Sequence, residues 1–293
     1  MIHPKKFGIW GNTDKRIFWK TLPKILDWSR KKGIKAHFTE RILFGATKKN
    51  YNQPIIHSKE DIGQLDFMLV LGGDGTFLSC ARAVGKQNTP ILGIHLGDLG
   101  FLAKVTLDNI FQRLDQVAIG DYTIEKRALA KALVKIDGDE KEYIGLNDFV
   151  VKNNESHRML NCRVQINDHL VSIYKSDGLI VATPTGSTAY SLSSSGPIIT
   201  PDVDSFVVTA ISPHSLTSRP LVISANSKVF IDFPNEENNI TFTTDGQIHE
   251  TLDATSSIQI TRADFRIGLI DFIGNDYFQT LRAKMDWGKR GEN

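Results

Sequence analysis

A carboxylate set among glycines at the end of an apolar run is the first feature of this chain that could do chemistry. In LVLGGDGTFLSC the apolar residues Leu69–Leu71 meet Gly72 and Gly73, then Asp74, then Gly75 and Thr76, before an apolar-patterned segment resumes. A strand that ends in glycines and leads into a helix brings backbone N–H groups and the positive end of the helix dipole to one point, which suits a phosphate. No Gly-Lys-Ser/Thr follows and no G-x-G-x-x-G is formed, so the stretch is neither a Walker A loop nor a dinucleotide fingerprint. Asp74 then has two readings. It caps a helix that starts near Thr76. Alternatively it works beside bound phosphates, where it is repelled unless a divalent cation bridges them or it accepts a proton from a reacting hydroxyl; both belong to phosphoryl transfer.

Two other stretches offer binding chemistry. Asn147 and Asp148 place an amide, able to bond an adenine edge, beside a carboxylate, able to take two ribose hydroxyls; taken alone, an ordinary Asn-Asp turn before the strand FVV is the simpler reading. In SDGLIVATPTGSTAYSLSSSGPI, Ser176–Ile198, an apolar strand delivers a loop dense in hydroxyls and small side chains. Such a loop either admits a ligand close to the backbone or is simply flexible. Asp-Gly recurs at Asp74, Asp177 and Asp245, and a hairpin turn alone accounts for Asp245-Gly246. The eight histidines show no metal-ligand spacing, Cys80 sits in a helix-like segment as a core residue, and Ser187 lacks a G-x-S-x-G context. Nucleophilic catalysis by the protein is therefore not expected, and no metal-ligating set is assigned.

These residues need elements to hold them. Up to Asp121, buried strands (KKFGIWG, FMLVLGG, TPILGIHLG) alternate with helical stretches (FWKTLPKILDWSRKKG, ending at Gly33, and FLSCARAVGK), a βαβ texture that implies a mostly parallel sheet. The polar, unpatterned Leu43–Asp61 reads as a mobile surface loop of unassigned role. From Tyr122 onward, apolar–polar alternation interrupted at Gly, Asn and Asp predicts hairpins and packed antiparallel sheets. Phe278, Leu281 and Met285 then recur at helical spacing before Gly288. The expected fold is an α/β domain with a parallel sheet over 1–121, an all-β domain of packed antiparallel sheets over 122–275, and a C-terminal helix over 276–293 returning to the first domain.

With 293 residues, 41% of them hydrophobic, the chain can bury two cores. Lys and Arg exceed Asp and Glu by 35 − 33 = 2, and the basic clusters Lys5-Lys6, Arg30-Lys31-Lys32 and Lys48-Lys49 are scattered, so no nucleic-acid partner is expected. Cys80 and Cys162 lack C-x-x-C spacing, the start has no apolar signal region, and no apolar run is long enough to cross a bilayer. A cytoplasmic protein without a membrane partner is the expectation.

GGDGT at Gly72–Thr76 is the signature of a kinase superfamily that includes NAD, diacylglycerol and sphingosine kinases. Ser176–Ile198 resembles the second signature of the NAD kinases, and GLNDFVV, TTDGQ and YFQTLRAKMDWG extend the similarity in order along the chain. The resemblance implies transfer of the γ-phosphoryl of ATP, with Mg²⁺ or Mn²⁺, to the 2′-hydroxyl of the adenosine ribose of NAD, giving NADP. It implies Asp74 as general base, Gly72, Gly73, Gly75 and Thr76 as the phosphate loop, and a homotetramer or homodimer. As dinucleotide-binding positions it implies Asp74, Gly75, Asn147, Asp148, Asp177, Thr188, Ala189, Tyr190, Ser191, Leu192, Ser193 and Gln247. Arg158 and Lys175 are candidates by their charge for neutralising the pyrophosphate, against the alternative that they simply face solvent on strands. Two departures stand out: Asp148 replaces the commoner Glu, and SSSGP at Ser193–Pro197 replaces the usual SAGGP. A lipid kinase would share GGDGT but calls for a membrane-facing apolar patch or basic anchor, which the sequence lacks. A non-catalytic dinucleotide-binding module would bind NAD without turnover. A dehydrogenase would need the absent Rossmann glycines.

Overall fold

A computed structural model describes residues 3–45, 51–97, 99–154, 158–236 and 239–287. In chain order the elements are β1 (Lys6–Gly11), α1 (Arg16–Lys32), β2 (Lys35–Thr39), α2 (Glu40–Gly45), β3 (Ile55–Ile56), α3 (Lys59–Gly63), β4 (Phe67–Gly72), α4 (Asp74–Val84), β5 (Ile91–His95) and α5 (Ile110–Ala118). There follow β6 (Thr123–Ile136), β7 (Asp139–Gly145), β8 (Asp148–Asn153), β9 (Leu160–Ile166), β10 (His169–Ser176), β11 (Gly178–Ala182), α6 (Tyr190–Ser193), β12 (Ser205–Ile211) and β13 (Leu221–Ser224). The chain finishes with β14 (Val229–Asp232), β15 (Ile240–Thr244), β16 (Ile248–Leu252), β17 (Ser257–Asp271) and α7 (Tyr277–Met285). Two compact units emerge: Met1–Lys126 with Ile267–Asn293, and Arg127–Arg266.

The first unit is α/β. Strands run in the order β3-β2-β1-β4-β5, all parallel, and Leu269 of β17 pairs with Ile91 beyond β5. Every residue of β4 and β5 is buried, as a sheet covered on both faces requires. α1 ends where the sequence places its stop. Gly33 adopts φ 69°, its N–H and that of Ile34 return to the Arg30 and Ser29 carbonyls, and the last helical carbonyls are thereby satisfied. Phe18, Leu22, Ile25 and Trp28 pack the buried stripe of α1 against Phe7, Ile9, Phe67 and Leu69.

One expectation fails here. Leu43–Asp61 is not a featureless loop: α2 reaches Gly45, Ile55–Ile56 pair with Phe38–Thr39 as β3, and α3 begins within it. Two residues are too few to display a period, so β3 exists only through its partner strand. The start of α3 was legible, since Ser58 and Asp61 form a reciprocal capping box. Gly288 lies outside the described residues.

The second unit is antiparallel. A six-stranded sheet has the order β13-β12-β11-β8-β15-β16, and β10-β9-β14 with the Ser257–Ile260 end of β17 forms the facing layer. Val151, Leu179, Val181, Phe206, Val208 and Phe242 meet Leu160, Cys162, Val164, Val229, Ile231 and Ile258 between them. Asp137-Gly138, Asn167-Asp168 and Asp245-Gly246 all have φ above zero at both residues, which fits two-residue hairpin turns to the strand twist. On the outer face of the six-stranded sheet, Val150, Ile180, Ala182 and Val207 are covered by Tyr190 and Ile199 from the segment that follows β11. That cover forms part of a cavity.

Candidate active site

In the first unit the glycine-rich turn lies at the C-terminal ends of parallel strands, where ligands of open α/β sheets bind. α4 begins at Asp74 rather than near Thr76, with Gly73 as its N-cap and no cap bond from a side chain. Asp74 is therefore not a helix cap. Its Oδ2 accepts the Phe101 backbone N–H at 2.9 Å, and its Oδ1 accepts those of Leu102 and Ala103, both at 3.1 Å. A carboxylate has about four lone-pair sites, so these bonds leave one, on Oδ2. Asp74 is half-exposed, and that remaining site can meet a ligand. Each neighbouring glycine has its own reason. A Cβ at Gly72 would stand 2.2 Å from Thr76 Oγ1, whereas one at Gly73 would face open space; the first glycine serves packing and the second leaves the backbone open to approach. Gly75 is exposed and Thr76 half-buried on the first turn of α4. Lys15, which sequence reasoning passed over, brings its ammonium to 3.4 Å from the Cβ position of Gly97 just beyond β5.

In the second unit a cavity of about 500 Å³ is lined by Asn147, Asp148, Ala189 and Tyr190 of the expected residues. Its volume falls within the usual range for small-molecule sites. Lys152, Thr241, Thr243, Asp245, Gly246 and His249 also line it, and of these the sequence offered only the Asp-Gly pair. Asp245 is much more than a turn residue: its Oδ2 accepts the Leu146 N–H at 3.1 Å, and its Oδ1 those of Asn147 and Asp148 at 2.7 and 3.1 Å. The Asn147 carbonyl takes the Thr183 N–H at 2.8 Å, and a Cβ on Gly186 would lie 2.0 Å from that same oxygen. Only glycine lets the two segments approach so closely. Burial, then the Asp245 charge, push the Asp148 carboxyl up to about 7, against the backbone N–H of Tyr190 that donates to it. The Lys152 ammonium stands 4.5 Å from the Tyr190 ring centroid.

The remaining expected residues lie outside that cavity's lining. Thr188 bonds the Thr185 carbonyl, Ser191 is buried with its hydroxyl against Thr209, Leu192 is half-buried and Ser193 exposed. Gln247 closes the hairpin turn by donating its N–H to Thr244. Arg158 is exposed, Asp177 sits between β10 and β11, and Lys175 lines a separate cavity of about 290 Å³ with His214 and Arg219. Cys80 and Cys162 are buried and unpaired, and burial pushes both thiols up, which fits core residues. A cavity of about 570 Å³ in the first unit opens beside Gly33–Ala36, at the N-terminal end of β2 and away from the glycine-rich turn.

Phosphoryl transfer to a nucleotide hydroxyl is the class of reaction that suits a fixed carboxylate at a glycine-rich helix start. Two family models match the chain: the ATP-NAD kinase N-terminal domain over residues 29–122 and the C-terminal domain over 146–272. An NAD kinase of Hydrogenovibrio crunogenus is 35% identical over 97% of this chain and 99% of its own length, and one of Geobacter metallireducens is 41% identical over 80% and 83%. Among solved structures, yeast NADH kinase complexed with NADH superposes with a TM-score of 0.89 at 22% identity, covering 98% of this chain and 89% of that one. An NAD kinase from Archaeoglobus fulgidus in complex with ATP gives 0.75 at 23% identity, covering 96% and 98%. The chain belongs to the NAD kinase family: it is a kinase that phosphorylates NAD to NADP.

Proposed function

We propose that Asp74 is the general base of this reaction, taking the proton of the adenosine 2′-hydroxyl as the γ-phosphoryl of ATP is transferred to it. The observation that carries this reading is the occupancy of the Asp74 carboxylate: three backbone amides fix it in place, one lone-pair site on Oδ2 is left over, and the residue is half-exposed. A carboxylate is a weak base toward an alcohol, so the proton leaves late, after attack has acidified the hydroxyl. Positioning and electrostatics carry the larger share of the rate. Asn147 and Asp148 hold the adenosine beside Ala189 and Tyr190, a role supported by their common cavity. Gly72, Gly73, Gly75 and Thr76 meet phosphates with the start of α4. Asp177, Thr188, Ser191, Leu192, Ser193 and Gln247 stay in the proposed dinucleotide set on the resemblance alone, and Arg158 and Lys175 on their charge.

The described residues contain no cluster of three or more His, Cys, Asp or Glu side chains that could hold a metal. We therefore write Mg²⁺ or Mn²⁺ as part of the metal–ATP substrate, carried by the phosphates as this cation commonly is. The domain limits 1–121, 122–275 and 276–293 remain our functional division of the chain. A homotetramer or homodimer is supported by exposed Leu170, Val171 and Ile173 on the edge strand β10. Reduced, buried cysteines fit a cytoplasmic location, and no described helix is long and apolar enough to cross a membrane.

The test is NADP formation from ATP, Mg²⁺ and NAD, followed with an NADP-specific dehydrogenase, with Asp74→Asn beside the wild type. Turnover in the variant is expected to fall by roughly 10²–10⁴; near-native turnover would remove Asp74 from the base role.

A further inference from the structure

The amides that fix Asp74 belong to a segment gripped from the far end of the chain. Lys284, on α7, donates from its ammonium to the Leu99 carbonyl at 2.7 Å and stands 5.2 Å from the Phe101 ring centroid. Tyr277, at the start of the same helix, brings its ring to 6.3 Å from that of Phe101. On the other side of the segment, Lys104 donates to Asp271 at 2.7 Å and to Glu125 at 2.9 Å. Its ammonium is largely withdrawn from solvent. Between these anchors lie Gly100, whose Cβ position is 2.0 Å from Asp74 Oδ1, and the three amides of Phe101–Ala103. Asp271, Tyr277 and Lys284 all come from the last stretch of the chain.

We propose that α7, through Lys284 and Tyr277, is a positioning clamp for the Leu99–Ala103 segment and thereby for the Asp74 carboxylate. Neither residue is a catalytic group. The clamp acts through backbone amides, because a segment free to drift by a fraction of an ångström would carry the Asp74 oxygens with it. Misplacement of a catalytic group on that scale is costly in rate even when its cause lies far from the chemistry. Of the side chains of α7, Leu281 alone is buried, while Tyr277 and Met285 are half-buried. The consequence for turnover rests on Asp74 being the base; the consequence for the amides does not.

Lys284 is exposed, so Lys284→Gln should fold. In the full-length enzyme we expect kcat to fall about tenfold with KM for NAD held, and Lys284→Arg to restore it, since a guanidinium keeps both the donor and the contact with the ring. Hydrogen exchange at the Phe101, Leu102 and Ala103 amides should become about tenfold faster in Lys284→Gln, with exchange in β4 and β5 unchanged. Tyr277→Leu should act in the same direction. Wild-type kcat together with wild-type exchange at Phe101–Ala103 in Lys284→Gln would overturn the clamp, as would a kcat loss matched by faster exchange throughout the first unit. Asp74→Asn measured in parallel separates the two ideas: if it turns over normally the base role fails, while the exchange result still decides whether α7 holds the segment.

Discussion

Asp74 and Asp245 are the same device built twice. Each is an aspartate before a glycine, and each carboxylate accepts three consecutive backbone N–H groups, from Phe101–Ala103 in one case and Leu146–Asp148 in the other. They differ in what surrounds them. Asp74 is half-exposed on the first residue of a helix, whereas Asp245 is 7% exposed in a hairpin turn at φ 51°. The same three-amide grip thus holds a half-exposed carboxylate in one case and a buried one in the other, where burial and then the Asp245 charge raise the pKa of the adjacent Asp148. Exposure separates the two copies.

The contrast is broken most severely at Gly100. Gly100→Ala would set a methyl group 2.0 Å from Asp74 Oδ1, forcing the carboxylate off its three amides without touching any cavity residue of the second unit. Turnover is expected to fall by at least about 10²-fold, with NAD affinity by calorimetry close to wild type. Equal losses in kcat and affinity would show that the two cradles are not separable. At the second cradle, Asp245→Asn replaces an acceptor-only group by one that turns an NH₂ toward backbone donors, and should cost about 1–3 kcal/mol of stability in denaturant titrations. Burial, the larger cause of the raised Asp148 pKa, stays, but the charge that adds to it is removed, so the pH at which dinucleotide binding changes should move down.

That change is itself a prediction. Asp148 has a folded pKa of about 7, above its unfolded value. Its neutral form is therefore the one the fold prefers, and its share of stability is full below the unfolded carboxylate range and is lost as pH rises toward 7. Ribose hydroxyls donating to Asp148 favour the ionised form instead. Dinucleotide affinity should accordingly strengthen about tenfold between pH 6 and pH 8, the ratio of ionised fractions for a group titrating midway. Asp148→Asn should flatten the dependence, and a wild-type profile equally flat would place the ribose hydroxyls elsewhere.

Much of this comparison was legible beforehand, and its missing half has a physical cause. The parallel and antiparallel textures, the stop at Gly33 and the hairpins at Asp137-Gly138 and Asn167-Asp168 follow from local rules of period and backbone conformation, which neighbouring residues suffice to state. Ala189 and Tyr190 were reached only through the resemblance of the segment that holds them, whereas Asp74, Asn147 and Asp148 stood out because unusual residue types met in short windows. The partners of Asp74 did not, since Phe101, Leu102 and Ala103 contribute only backbone N–H groups, which no residue type announces. Lys152, Thr241, Thr243 and His249 were hidden for another reason: they line the cavity from the outer face of adjacent strands, and their alternation reads as an ordinary solvated face. The collision awaiting any side chain at Gly186 is equally invisible until the Asn147 carbonyl is placed beside it.

The smallest expected effect tests whether the second region is architecture in its outer turn as well. Ser195 holds φ 66° with its N–H on the Leu192 carbonyl, and the next N–H, of Gly196, returns to Ser191. A left-handed conformation costs a residue with a Cβ about 1–2 kcal/mol, and the NAD kinase pattern SAGGP places glycine at this position. Ser195→Gly removes that strain but gives the unfolded chain more freedom, worth about 0.4–1 kcal/mol in the opposite sense. The net gain should be a few tenths of a kcal/mol up to about 1, read as a rise in Tm of about 1–3 °C. Because Ser195 is exposed and outside the cavity lining, kcat and dinucleotide affinity should stay at wild-type values. A gain in stability accompanied by a change in affinity would mean that the turn sets the position of Tyr190, and that strain in the second region is coupled to binding.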